Sequence, residues 1–587
     1  MTRARAEPSS GAPPSPTPPM FISASARATQ ALRALLCAVT CAGAPRGAPS
    51  AAARTDAPLT FRVNTARRHA VSRFIYGANA ATEPAPWAGA TPPREVSFNR
   101  MGGNRLSAYN WTNNYSNAGS DAAYHNDQYL AASTTPGEAV RARAAATFAR
   151  GAAFLATVPM LPYVAGDACN CDVGTSDVGR AARLAAHFRR NAASSTAGAA
   201  DDGTVYQDAF VRWATHTFPG ATGDSTRRLM FSLDNEPDAW HATHKEVESD
   251  QHDDPSAPRV QTYDAFIDTT IAFARAVKRA APDALVFGPA LATYTGILTL
   301  GRHPADDPTY GSWRARPFLD VYLDRLRAAE SEAGRRLLDV VDVHWYPAAG
   351  TRGGPITNDY APQDSATVEA RLQAPRSLWD STYDEHSWVS DVTAGPVRLL
   401  PRLRAQIAAH YPGTRLAVSE YYYGRAGDIS GGIAQADVLG VFGREGVYAA
   451  ALWPQANPWA PPYAGDGARA YAYAFAAFRM YLNYDGAGSC FGDLGVDATT
   501  SDADAASVYA SLDARGRVVL VAINKRRTAR TAQVVVAHPA ALRSARVYTL
   551  TAGAPAPARA PDLALPAGNA FPYTMPALSV STLVLSP

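Results

Sequence analysis

No stretch of this chain approaches the roughly 20 consecutive apolar residues that a membrane-spanning helix requires, so an embedded fold is not expected. Cysteine is scarce. Of five in 587 residues, Cys37 and Cys41 fall in an N-terminal stretch read below as a leader. That leaves Cys169, Cys171 and Cys490, too few for a disulfide scaffold. Cys169-Asn170-Cys171 is also too tight for the C-x2-C spacing of zinc sites, and free thiols, or one bond to Cys490 after export, are the expected states. Charge of one sign is missing as well. A formal net charge of +3, with Lys and Arg scattered, lacks the basic stripe of a nucleic-acid binder. No G-x-S-x-G elbow marks a serine hydrolase. No H-E-x-x-H accompanies His241, His244, Glu246 and Glu248, which read as a solvated polar loop rather than metal ligands. Gly102-Gly103 is followed by no Lys-Ser/Thr, so it reads as a tight turn, not a phosphate cradle.

What is present is ample core material, 47% hydrophobic and 10% aromatic. Residues 1–53 are rich in Ala, Pro, Ser and Arg and do not read as a packed element. Arg33, the apolar run 34–43 and Ala51-Ala52-Ala53 follow the order of a secretory signal, with Met20 as an alternative start. A soluble protein, secreted or periplasmic and monomeric, is expected.

From Ser72 onward, short apolar runs alternate with segments of helical period, the pattern of parallel strands buried on both faces. The runs are 74–78, 98–101, 154–158, 229–233, 284–287, 340–343, 416–419 and 448–453. Eight is the closure number of a (β/α)8 TIM barrel. Segments 263–279, 318–326, 401–411 and 472–484 carry apolar residues three and four apart and read as outer helices. After about Asp485 the pattern turns to alternating β-branched segments at 508–512, 518–524, 531–537, 544–550 and 577–585, which predict a β-sandwich. The division is therefore a leader over 1–53, a strand lent to the sandwich from 54–71, a catalytic barrel over 72–485 and the sandwich over 486–587. Residues 346–397, rich in Trp, Tyr, Asp and Pro, read as a long functional loop.

Barrels carry their reactive groups at the carboxyl ends of strands. Glu236, in Asp234-Asn235-Glu236-Pro237, follows the fourth strand, and Glu420, in Ser419-Glu420-Tyr421, ends the seventh. These ends lie nearly opposite each other across an eight-strand mouth. Two facing carboxyls suit glycoside hydrolysis, where one donates a proton to the leaving oxygen and the other attacks the anomeric carbon. Glu236 is expected to be the acid/base, its pKa raised by apolar surroundings and the charge of Glu420. Glu420 is the expected nucleophile, held ionised by hydrogen bonds from Arg100 or a nearby tyrosine. Asn235 is placed to bind the 2-hydroxyl of the attacked sugar. Arg100, Asn104, Tyr109, Trp111, Tyr163, His344, Trp345, Tyr346 and Trp453 gather at other strand ends as substrate-binding candidates. The aromatic ones would stack on pyranose faces.

These segments resemble glycoside hydrolase family 44. Arg100-Met101-Gly102-Gly103-Asn104 with Tyr109-Asn110-Trp111 is similar to that family's R-W-G-G-N…Y-N-W segment, and Pro159-Met160-Leu161-Pro162-Tyr163-Val164-Ala165 to its third-strand segment. Asp234-Asn235-Glu236-Pro237, with Thr243-His244 behind it, resembles the acid/base segment. Asp342-Val343-His344-Trp345-Tyr346-Pro347 and Ser419-Glu420-Tyr421 resemble the sixth-strand and nucleophile segments. The likeness runs from about Leu59 to the C-terminus. It implies retaining, endo-acting hydrolysis of β-1,4 bonds in cellulose derivatives, mixed-linkage glucan, glucomannan or xyloglucan, with no cofactor needed for catalysis and a structural calcium ion in some members. Met101 stands where the family usually has Trp, which leaves substrate preference open, and Pro162 stands where it has Gly. A xylanase, a mannanase, an exo-acting β-glycosidase, a metal-dependent hydrolase and a noncatalytic carbohydrate-binding barrel are the alternatives.

Overall fold

A computed structural model describes residues 58–82, 90–176, 179–194, 202–247, 262–301, 316–566 and 568–587. The expected leader, 1–53, lies outside them, as does Glu248. Eight parallel strands close a barrel: Gly77–Asn79, Phe98–Met101, Ala153–Val158, Leu229–Leu233, Val286–Leu291, Val340–Trp345, Arg415–Tyr421 and Ala449–Leu452. The first differs from expectation. Phe74 and Ile75 belong to a single 3-10 turn, Arg73–Ile75, and the strand begins at Gly77. Phe74 is buried in the barrel floor all the same, which is why its hydrophobicity imitated a strand residue.

The barrel interior has a graded composition. Its floor combines Phe98, Leu155, Met230, Phe287 and Val340 with Ala153, Ala417, Ala449 and Ala451, large side chains on some strands meeting alanine on others. Two residues further along several strands the inward positions become polar: Phe98 leads to Arg100, Leu155 to Thr157, Met230 to Ser232, and Val340 to Asp342 and then His344. A strand alternates faces with a period of two, so this gradient runs up the inside of the barrel to its mouth. The outer faces bury apolar residues under helices such as Tyr263–Ala280 and Phe318–Ala333. The first of these is capped by Thr262, whose hydroxyl accepts the Ala265 N–H at 3.2 Å.

The second unit is one nine-stranded sheet. Leu59–Ala70 joins it between Leu494–Thr500, antiparallel, and Arg530–Ala537, parallel. Residues from opposite ends of the sheet, Val547 and Leu583 with Val534 and Phe571, share one core, so the sheet folds over itself as a sandwich. Ala554–Ala564 is an edge strand that the sequence reading missed, because its prolines and exposed side chains carry no strand pattern. The sandwich packs on helices Ile429–Arg444 and Ala472–Leu482. There Lys525 and Asp437 form a buried 2.7 Å ion pair that Tyr509 completes with a 2.7 Å hydrogen bond.

Two further expectations are corrected. Residues 346–397 are not plain loop: they hold a small hairpin and helices Ser365–Gln373 and Trp388–Val392, the second closed by a Ser387–Ser390 capping box. Cys169 is bonded to Cys171 rather than free or paired with Cys490, which is a free, exposed thiol. The chain bends sharply at Asn170, with φ at 52°, and brings the two sulfurs together.

Candidate active site

Glu236 follows the fourth strand in a tightly held turn. Asp234 and Glu236 both have positive φ, 66° and 47°, which costs a non-glycine residue roughly 1–3 kcal/mol each. Neighbouring groups hold the turn in place. The Asp234 carboxylate accepts the Asn235 N–H at 2.7 Å, the Ser107 hydroxyl at 2.5 Å and the Met160 N–H. The Glu236 N–H donates to Ala290 O at 2.9 Å, and the indole of Trp240 to Asn235 O at 2.9 Å.

Glu420 arrives from the seventh strand by a bulge. Val343 pairs with Val418, but His344 pairs with Glu420, so the register skips Ser419 and turns Glu420 inward beside His344. The two glutamates face each other across His344. Its Nδ1 lies 2.8 Å from Glu236 Oε1 and 3.5 Å from Glu420 Oε2. One oxygen of each carboxylate and this nitrogen all lie within 4.8 Å of one another.

Arg100, fully buried, donates to Glu420 Oε1 at 2.6 Å, to Asn235 Oδ1 at 2.7 Å and to Asn79 Oδ1 at 3.1 Å. The Tyr346 hydroxyl donates to Glu420 Oε2 at 2.9 Å. Gly102 is required here: a Cβ on it would stand 2.2 Å from Arg100 Nη1. Gly103 lends its N–H to Asn235 Oδ1 at 3.1 Å and lies under the ring of Trp453, which places Trp453 against the same corner.

Burial is the first influence on every titrating group. It pushes Glu236 up to about 7, helped next by the charge of Asp121 and opposed by Arg100. Asp121 adds to the expected repulsion between the two glutamates, which is felt at Glu420, where the charge of Glu236 works with burial to raise the carboxyl. Burial also raises Glu420, but His344 and Arg100 oppose it. A buried guanidinium in direct contact favours the carboxylate form. Burial pulls His344 down to about 4, so the imidazole between the acids is neutral near pH 7.

Other candidates are placed differently. Asn104 accepts a hydrogen bond from Asn235 Nδ2 at 3.2 Å and donates to Asp121 at 2.9 Å. Its carbonyl lies 2.9 Å from His244 Nε2, while His244 Nδ1 lies 2.7 Å from buried Glu246, so His244 and Glu246 brace the site instead of forming a solvated loop. Tyr163 is half-buried in a short strand, Tyr163–Ala165.

Two aromatic assignments, Trp345 and Tyr109, are corrected, and Trp111 is half-buried. Trp345 is buried in the core, because His344 and Tyr346 take the inward positions and alternation sends Trp345 outward under the helices. Tyr109 is 1% exposed and its hydroxyl is committed to Asn114 at 2.8 Å. Trp111 packs against Phe210 and Trp213, with its indole N–H donated to Tyr206 O at 3.2 Å.

Sequence reasoning missed Asn79, Asp121 and Asp342. Asn79 ends the first strand and was hidden by placing that strand too early. Asp342, two residues before His344 on the inward face, was legible from alternation. Asp121 carries no local signal. Among the described residues, two groups of side chains cluster as metal ligands do: Glu236, His344 and Glu420, and Asp167, Cys169 and His187. Neither offers the six to eight oxygens that calcium takes, so neither fits a structural calcium ion.

A family model, Glycoside hydrolase family 44, matches residues 108–349. Endoglucanase A of Paenibacillus lautus is 37% identical over 498 residues, covering 82% of this chain and 65% of its own, so the chain spans just under two thirds of that relative's length. The crystal structure of Cel44A, a family 44 endoglucanase from Clostridium thermocellum, superposes with a TM-score of 0.79 at 32% identity, covering 90% of this chain and 100% of that one. A Paenibacillus polymyxa family 44 xyloglucanase solved with xyloglucan also gives 0.79, at 33% identity over 90% and 99%.

Proposed function

This chain belongs to glycoside hydrolase family 44, and from that premise we propose that it is a retaining, endo-acting β-1,4-glucanase acting on cellulose derivatives, xyloglucan or mixed-linkage glucan. The observation that carries the reading is the approach of a Glu236 oxygen and a Glu420 oxygen to within 4.8 Å. Retaining enzymes hold their carboxyls about 5–5.5 Å apart, whereas inverting ones leave about 6.5–9.5 Å for a water.

Glu236, its proton held up to about 7, donates to the glycosidic oxygen as the bond to the anomeric carbon breaks. Glu420, oriented by Arg100 and Tyr346, attacks that carbon from the opposite face. Glu236, now ionised, takes a proton from water, which displaces the sugar from Glu420. Asn235, fixed by Arg100 and Gly103, keeps its amide near the attacked sugar to bind the 2-hydroxyl. The protein partner in this reading is the polysaccharide alone, met outside the cell by a monomer.

A polysaccharide panel with product sizing tests the reading. Medium-length products released from the interior of a β-1,4-glucan, with the β-anomer appearing first by proton NMR, are expected. Initial release of the α-anomer, or no release from any glucan, would overturn it.

A further inference from the structure

Tyr360 and Trp459 are large aromatic side chains left open, 57% and 62% exposed. They come from different connections at the barrel end that carries Glu236 and Glu420, Tyr360 after the sixth strand and Trp459 after the eighth. Asn457 joins them: its Nδ2 donates to the Tyr360 hydroxyl at 3.1 Å, and its Oδ1 accepts the Trp459 N–H at 2.9 Å. The Trp459 ring rests on Gly465, where a Cβ would stand 2.6 Å from it.

Beneath the pair, the carboxylate of Asp359 accepts the Tyr422 hydroxyl at 3.0 Å and the N–H groups of Arg425 and Asn457, each at 2.8 Å. Arg425 returns hydrogen bonds to Asp359 O at 3.1 Å and Pro461 O at 2.8 Å. One buried acid thus fastens together the connections after strands six, seven and eight. Its effect is to hold two rings in water, where large apolar surface is normally disfavoured unless a partner covers it.

Pyranose C–H faces stack on such rings while the sugar hydroxyls stay wet. The connection that carries Trp459 also carries Trp453, whose ring lies over Gly103 beside Asn235 at the catalytic corner.

We propose that Tyr360 and Trp459 form an outlying sugar subsite that grips a β-glucan chain beyond the units held at Glu236 and Glu420. The proposal rests on the glucanase reading above and assigns these two residues to recognition of long chains.

The test compares kcat/KM on carboxymethylcellulose with kcat/KM on an aryl cellobioside, whose two sugars are too short to span both sites. In Trp459→Ala and Tyr360→Ala the long-to-short ratio should fall about three- to tenfold, the worth of one stacked ring. Trp459→Tyr should restore most of it. A ratio equal to that of wild type in both alanine variants overturns the subsite. Affinity electrophoresis in gels containing the glucan separates this from the parent reading. If wild type hydrolyses neither substrate, the glucanase reading fails. Weaker retardation of Trp459→Ala would then still support the subsite, and equal retardation would overturn it.

Discussion

Arg100 and Glu420 form a 2.6 Å ion pair whose side chains are 0% and 4% exposed. A guanidinium so placed cannot lose its partner without leaving a buried charge, so the pair fixes the position of the attacking carboxylate and favours its ionised form against the upward push of burial. It also spans the barrel, since Arg100 ends the second strand and Glu420 the seventh. Arg100→Lys keeps the charge but loses the fork that reaches Asn79 and Asn235. It should lower kcat about 100-fold on an aryl cellobioside while the far-UV circular dichroism stays that of wild type. A kcat within a factor of two of wild type would remove Arg100 from the mechanism.

The two carboxylates should separate by leaving group. Glu420→Gln is expected to abolish turnover on every substrate. Glu236→Gln should still form the glycosyl intermediate from an aryl glycoside with a good leaving group, seen as a burst of phenol, yet fail on polysaccharide. Identical behaviour of the two variants would contradict their assigned roles.

The pH dependence follows from Glu236. It must be protonated to act as the acid, and its pKa lies near 7, so kcat/KM should decline as pH rises through about 7. Asp121 is the neighbouring charge that helps raise it. Asp121→Asn removes that charge and should move the declining limb to lower pH, as read from a pH profile on an aryl cellobioside. Movement to higher pH would refute the assignment.

Gly102 is expected to tolerate no side chain. Gly102→Ala drives a methyl into the Arg100 guanidinium, and relief of the overlap should cost about 1–3 kcal/mol in urea unfolding, with kcat reduced because Arg100 is displaced from Glu420. Wild-type stability and kcat together would show that the corner can relax.

The barrel–sandwich contact gives a control with the opposite signature. Asp437→Asn leaves Lys525 buried without its charge partner and should cost about 3–5 kcal/mol in denaturant unfolding, with kcat per folded molecule unchanged. A midpoint equal to that of wild type would show that Lys525 finds another partner.

Much of the scaffold was legible because its signals are local. The runs at 98–101 and 229–233 coincide with strands Phe98–Met101 and Leu229–Leu233, and helix Tyr263–Ala280 departs from its expected span by one residue. Glu236 and Glu420 stood out for the same reason, as acids at the ends of apolar runs. Helix Ile429–Arg444 left no periodic trace, because it is buried on all sides between barrel and sandwich.

The residue string therefore specified most of the barrel strands and the two acids at the mouth, since hydrophobic runs are properties of neighbouring residues. The closed fold decided the rest. It set His344 between the glutamates through a bulge at Ser419, brought the charge of Asp121 to bear on Glu236, and took Tyr109 and Trp345 into packing. Those outcomes depend on distances between residues far apart in the chain, and such distances exist only once the barrel has closed.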